Sequence, residues 1–182
     1  MNRHRRPRWT VEEFLEWDNS QGQAHEYVGG MIRTPMVDTK THALLVANLR
    51  SFFQEKLSPP ARLLAERERV VTGVSSSFPD VSITNDPAQT DSRVQPVVVF
   101  EVLARRTENL ERTHKWIALQ SLSALQNFAL ISQERIRVEV FSRSDDGWGQ
   151  TSFVKSTDEI PLPSLGLTLP VSRIYAGAQL LR

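Results

Sequence analysis

The chain has 182 residues and not one cysteine. Disulfides and thiolate metal sites are therefore excluded, and a reducing compartment such as the cytoplasm is the expected setting. No apolar stretch approaches the ~20 residues that a bilayer-spanning helix needs, so a membrane is not an expected partner. The opening "MNRHRRPRW" is basic, but no apolar segment follows it, so it does not read as a secretory signal. Aromatic residues make up only 8% and are unclustered, so Trp9, Trp17, Trp116 and Trp148 are expected in the core or at its rim rather than stacking bases. Excess charge is lacking too, with a formal net of +1. Arg3, Arg5, Arg6 and Arg8 carry four positive charges, which leaves the rest of the chain three negative. A protein gripping duplex DNA over its whole surface is far more basic, so any nucleic-acid contact has to be local.

What is present fits one globular domain over residues 9–182, behind a basic, flexible arm over residues 1–8. Hydrophobic residues reach 40% and charged residues 24%, enough to build a core. Thr10 and Glu13 form a capping box that opens a short helix running through Trp17. "HEYV-GG-MIRT" reads as a two-residue hairpin around Gly29 and Gly30. A longer helix starts at Asp38 or Thr39 and runs to about Leu57, with Leu45, Leu49, Phe52 and Phe53 on one face. Strands follow in "RLLAER", "RVVTGV", "DVSIT" and "VVVFEVL", then a helix over residues 107–122. "NFALIS", "RIRVEVFSR" and "QTSFVK" are further strands, and "IPLPSLGLTLP" is a proline-rich closing stretch. The order predicts an α+β (α/β-like) class with a central mixed sheet flanked by helices.

A few polar residues stand where the hydrophobic pattern calls for something else. Glu101 interrupts the apolar run "VVVFEVL", and a buried carboxylate needs a cation, a metal or a shifted pKa. Asp80 opens the strand "DVSIT", 21 residues earlier, a span that permits neighbouring strands. Two carboxylates facing one another repel unless a hard divalent cation lies between them, and magnesium suits a site of one or two carboxylates that keeps its waters. Lys115 is one of only four lysines, against eighteen arginines, and lies on the helix after the Glu101 strand. A lysine aimed back at such a site can stabilise developing negative charge on phosphorus. Glu101 could instead be balanced by Arg105 or Arg106, with Asp80 a strand-start residue and Lys115 an exposed helix residue.

The segments "FPDVSIT", "VVVFEVLARRTENLERTHKWIALQSLSALQNFALIS" and "LPSLGLTLPVSRIY" resemble the Uma-two family, restriction-endonuclease-like proteins of bacteria with the PD-(D/E)xK nuclease fold. The front end agrees, with "TVEEFLEW", "HEYVGGMI" and a helix carrying His42, so the likeness spans residues 9–177. The resemblance implies that Asp80 and Glu101, with the carbonyl of Val102, bind Mg2+ or Mn2+. It implies that Lys115 replaces a lysine normally two positions after the glutamate, where this chain has Leu103. Glu26 matches an upstream acid that can complete the metal shell. Arg105, Arg106 and His42 become candidate phosphate contacts. The family's Ser-Pro-Ser after the strand is Ala104-Arg105-Arg106 here, while His25, Gly29 and Leu119 replace a Tyr or Arg, an Asp and a Tyr.

The expected activity is metal-dependent hydrolysis of DNA phosphodiester bonds by a homodimer. The alternative is a catalytically inactive dimeric relative serving as a binding or scaffold protein, motivated by the Ala-Arg-Arg replacement. An RNA or nucleotide phosphodiesterase would differ only in substrate.

Overall fold

The computed structural model describes residues 9–35, 39–66, 68–86, 94–103 and 111–180, the side chains of Glu111 and Arg112 excepted. The basic arm, Arg105 and Arg106 lie outside the described residues. Helix α1 (Val11–Asn19) begins at Thr10, whose hydroxyl accepts from the Glu13 N–H while the Glu13 carboxylate accepts from the Thr10 N–H. Two of the four orphan donors of the first turn are thereby satisfied. The helix buries Val11 and Phe14, and Phe14 stacks on Tyr27 of β1 (Glu26–Val28). Its buried Asp18 accepts from the backbone and ring nitrogens of His25 and pairs with Arg69, which ties α1 to the sheet beneath it.

Strand β1 turns into β2 (Met31–Arg33) through Gly29 and Gly30, with φ of 62° and 79°. Two consecutive positive φ values make a twist-matched hairpin turn that glycine adopts without strain. The turn fixes the register, setting Glu26 opposite Arg33. Strands β4 (Val70–Val71) and β5 (Ser76–Ser77) complete a four-stranded sheet in the order β2-β1-β5-β4.

The larger sheet has six strands in the order β10-β9-β8-β7-β6-β3. Its members are β3 (Arg62–Leu63), β6 (Val81–Thr84), β7 (Val98–Leu103), β8 (Asn127–Ser132), β9 (Val138–Ser144) and β10 (Gly147–Phe153). Only β7 and β8 are parallel, so the chain must cross over between them; the other pairs are antiparallel. Side chains alternate along a strand, which divides β7 between two cores. Val98, Phe100 and Val102 pack against Leu45, Leu49 and Phe53 of α2 (Lys40–Lys56). Val99 and Leu103 pack on the other side with Leu119, Leu122, Leu125 and Phe128. Glu101 points to that second side, where the crossover returns.

Residues 107–110 of the helix expected over residues 107–122 lie outside the described residues, and the helical part of the remainder ends at Leu119. A π-helical turn spans Glu111–Lys115, then α3 spans Trp116–Leu119. The chain needs residues 120–126 to swing back into β8, and Arg143 supports the swing by donating to the carbonyls of Gln120, Leu122 and Leu125. The strand in "RLLAER" shrinks to Arg62–Leu63, paired with Thr84 and Ile83 of β6. The proline-rich tail is ordered: β11 (Glu159–Leu162) and β12 (Leu167–Pro170) form a separate two-stranded sheet around a 3-10 turn. In a sheet of two strands both are edges and tolerate proline. Helix α4 (Val171–Ile174) then closes the α2 side with buried Val171 and Ile174.

Candidate active site at the end of the central sheet

Glu101 is 1% exposed, so the surrounding groups decide whether its charge can be held there. The Nζ of Lys115 lies 2.9 Å from Glu101 Oε1. The same ammonium is 3.4 Å from Glu26 Oε1. Lys115 is itself 4% exposed, so a buried cation is shared by two buried carboxylates. Glu26 is then held from three directions. Its Oε2 accepts from Arg33 Nε and Nη2 at 2.8 and 2.7 Å, and its Oε1 accepts from the Phe78 N–H at 2.8 Å. A charge so fully hydrogen-bonded is a brace rather than an open ligand.

Asp80 sits at the mouth of β6, beside the end of β7. Continuing the register one step beyond the Val81–Phe100 pair sets Asp80 opposite Glu101. Its Oδ2 accepts from the Val102 N–H at 2.7 Å and lies 3.3 Å from His42 Nε2. A strand residue's N–H and C=O point toward the same neighbour, so the Val102 carbonyl also faces the Asp80 side. His42 is buried at the third position of α2, where its N–H donates to the Thr39 hydroxyl that caps the helix. The π turn carrying Lys115 presses on the hairpin: a Cβ added to Gly29 would lie 2.6 Å from Cδ2 of His114.

The structure thus brings Glu26, Asp80, Glu101, Lys115, His42 and Val102 to one end of the sheet. Among the described residues, Lys115 brings an ammonium to Glu101, while Arg105 and Arg106 lie outside the described residues. Two participants were missed from sequence. Arg33 was legible, since a two-residue turn after Val28 forces the Glu26–Arg33 pairing. Gln133, which bonds the end of β7, has no local signal.

The donors fit a hard cation in type: two carboxylates and a backbone carbonyl, with the Asp80 side chain 20% exposed and so reachable from solvent. They do not make a protein cage, since no three His, Asp or Glu side chains converge in ligand geometry among the described residues. That combination suits magnesium, which binds through one or two carboxylates and retains water, better than calcium with its six to eight oxygens.

Residues 11–172 match the Uma2 family, described as "putative restriction endonuclease". The chain belongs to the Uma2 family. An uncharacterized protein of Synechocystis is 28% identical over 177 residues, covering 94% of this Uma2 chain and 93% of the relative. A crystal structure from Anabaena variabilis, described as a "putative nuclease belonging to DUF820", superposes with a TM-score of 0.72 at 20% identity. It covers 92% of this chain and 98% of that one, which establishes the shared fold. No helix among the described residues of this Uma2 protein is long and apolar enough to cross a membrane.

Proposed function

We propose that this Uma2 protein is a Mg2+-dependent endonuclease that hydrolyses DNA phosphodiester bonds. The observation that carries the reading is the Asp80 carboxylate accepting from the N–H of Val102, the residue after Glu101, with the Lys115 ammonium 2.9 Å from Glu101. Asp80, Glu101 and the Val102 carbonyl would hold the ion. Bound there, Mg2+ would supply charge neutralisation at the phosphate and make a water easier to deprotonate. The remaining work falls to the chain itself. Lys115 keeps Glu101 ionised and in place, and its ammonium can donate to the phosphate oxygen on which negative charge grows. Glu26, locked by Arg33 and the Phe78 N–H, fixes where that ammonium sits. His42 and the Val102 N–H fix Asp80. Arg105 and Arg106 follow Glu101 by only a few residues and are assigned as phosphate contacts. A homodimer would let two such sites cut both strands, and the cysteine-free chain suits the cytoplasm.

The second reading, a fold relative that binds without turnover, is favoured by one observation: the Lys115 ammonium pairs with Glu101 directly. One experiment separates the two. Purified protein is incubated with supercoiled plasmid and Mg2+ or Mn2+, beside Asp80→Ala and Lys115→Ala. Nicking by the wild type that needs the divalent ion and vanishes in both variants supports the endonuclease. Identical traces for all three refute it. A parallel RNA substrate decides the nucleic acid.

A further inference from the structure

Asp80 does not hold its place through its own strand alone. Its carboxylate faces His42, and His42 rides on the first turn of α2, so anything that fixes that turn fixes the acid. The turn is fixed by a side chain from the far side of β7. The Thr39 hydroxyl accepts from the His42 N–H at 3.0 Å and donates to Gln133 Oε1 at 2.5 Å. Gln133 Nε2 then donates to the Leu103 carbonyl at 2.8 Å. Leu103 adjoins Val102, whose N–H returns to Asp80 at 2.7 Å. The contacts close a ring: Asp80, His42, Thr39, Gln133, Leu103, Val102 and back to Asp80.

An amide is the side chain this ring requires, since one end must accept from a hydroxyl and the other must donate to a carbonyl. Gln133 also stands on an anchored turn. The Ser132 hydroxyl accepts from the Glu134 N–H at 3.2 Å, and the Ser132 carbonyl accepts from the Tyr175 hydroxyl at 2.9 Å. The Ser132 N–H donates to the Arg137 carbonyl at 3.0 Å.

We propose that Gln133 is a positioning residue for the metal-binding pair, clamping the start of α2 to the end of β7 so that Asp80 is held beside Glu101. The proposal rests on the assignment of Asp80 and Glu101 as metal ligands. Groups that orient ligands without touching the metal typically change its affinity 10–100-fold when removed, so about that loss is expected here.

The test is calorimetric titration of Mn2+ into the full chain, with a thermal melt of each variant. Wild type, Asp80→Asn, Gln133→Met, Thr39→Val and Thr39→Ser are compared. Gln133→Met keeps the length of the side chain and removes both hydrogen bonds. Thr39→Val breaks the ring from the other side, whereas Thr39→Ser preserves the hydroxyl. The expected result is loss of Mn2+ binding in Asp80→Asn and affinity weakened about 10–100-fold in both Gln133→Met and Thr39→Val. Thr39→Ser is expected to match the wild type. Saturating Mn2+ is expected to restore most plasmid nicking by Gln133→Met, so the defect appears in metal requirement rather than turnover. Unchanged Mn2+ affinity in Gln133→Met and Thr39→Val, with only a lowered melting temperature, overturns the proposal and leaves the metal reading standing. Equal Mn2+ binding by wild type and Asp80→Asn overturns the metal reading itself. Should Gln133→Met fail to fold, Thr39→Val against Thr39→Ser decides.

Discussion

Replacing Lys115 by methionine removes a buried cation and little else. The methionine fills nearly the same space, but Glu101 loses the ammonium 2.9 Å away while remaining buried at 1% exposure. Glu26 suffers less, since Arg33 and the Phe78 N–H still hold both of its oxygens. The damage therefore concentrates on one carboxylate. Breaking a buried pair by deleting one partner destabilises by about 3–5 kcal/mol. For a chain of this size each kcal/mol lowers the melting temperature by about 2–4 °C, so a fall of roughly 6–20 °C is expected. Glu101→Gln alone leaves the ammonium beside the Glu26 carboxylate, and a smaller loss is expected. The double variant Glu101→Gln/Lys115→Met carries neither charge. It should therefore be more stable than Lys115→Met, with a coupling of roughly 2–3 kcal/mol between the sites. Urea denaturation of the four proteins, followed by circular dichroism, measures the cycle directly. Losses that simply add would refute the reasoning, because the two groups would then be acting independently of one another.

Tyr175 and Gly29 provide two further tests away from the acids. Burial pushes the Tyr175 hydroxyl from its ordinary 10 up to about 12, so the unfolded chain releases this proton first as the pH rises. The stability from keeping it neutral is present below pH ~10 and fades between about 10 and 12, a loss of roughly 2–3 kcal/mol. Tyr175→Phe is expected to lack that alkaline step, which comparative denaturation of the two proteins would detect; matching pH profiles would sink the assignment. The same substitution is expected to destabilise at neutral pH by about 1–3 kcal/mol, because the hydroxyl bridges the Ser132 and Arg137 carbonyls. Gly29→Ala meets two penalties: about 1–2 kcal/mol for a side chain at φ of 62°, and a clash with His114. Adding His114→Ala should relieve the clash and leave the backbone penalty, a difference readable by thermal melts. No rescue would mean that the ring does not rest on the turn.

Local rules carried the sequence reading a long way. The capping box at Thr10, the Gly29–Gly30 hairpin, the long helix beginning at Asp38 or Thr39 and strands β6 to β9 all follow from neighbours within a few residues, and all are present, with Thr39 the cap of that helix. Glu101 was conspicuous because a charge in an apolar strand contradicts its surroundings, and Lys115 because lysine is scarce. The end of the crossover helix at Leu119 was not legible, since Arg143 reaches back from β9 to the carbonyls of residues 120, 122 and 125. Nor was the structure of the tail, read only as a proline-rich closing stretch, where a two-stranded ribbon offers proline nothing but edges. Gln133 was invisible for a related reason. A polar residue in a turn is unremarkable until packing brings Thr39, 94 positions away, against it.

The wide π turn that delivers Lys115 bears on how this protein can change over evolutionary time. Thr113 and His114 are exposed, and substitutions at exposed positions are ordinarily tolerated. Insertions and deletions at the surface are usually tolerated as well. Here they differ. Every residue of a helical turn, the π form included, rotates the chain about its axis, so removing one residue before Lys115 would turn the ammonium away from Glu101. Descendants of this chain are thus free to vary the letters of the segment but not its length.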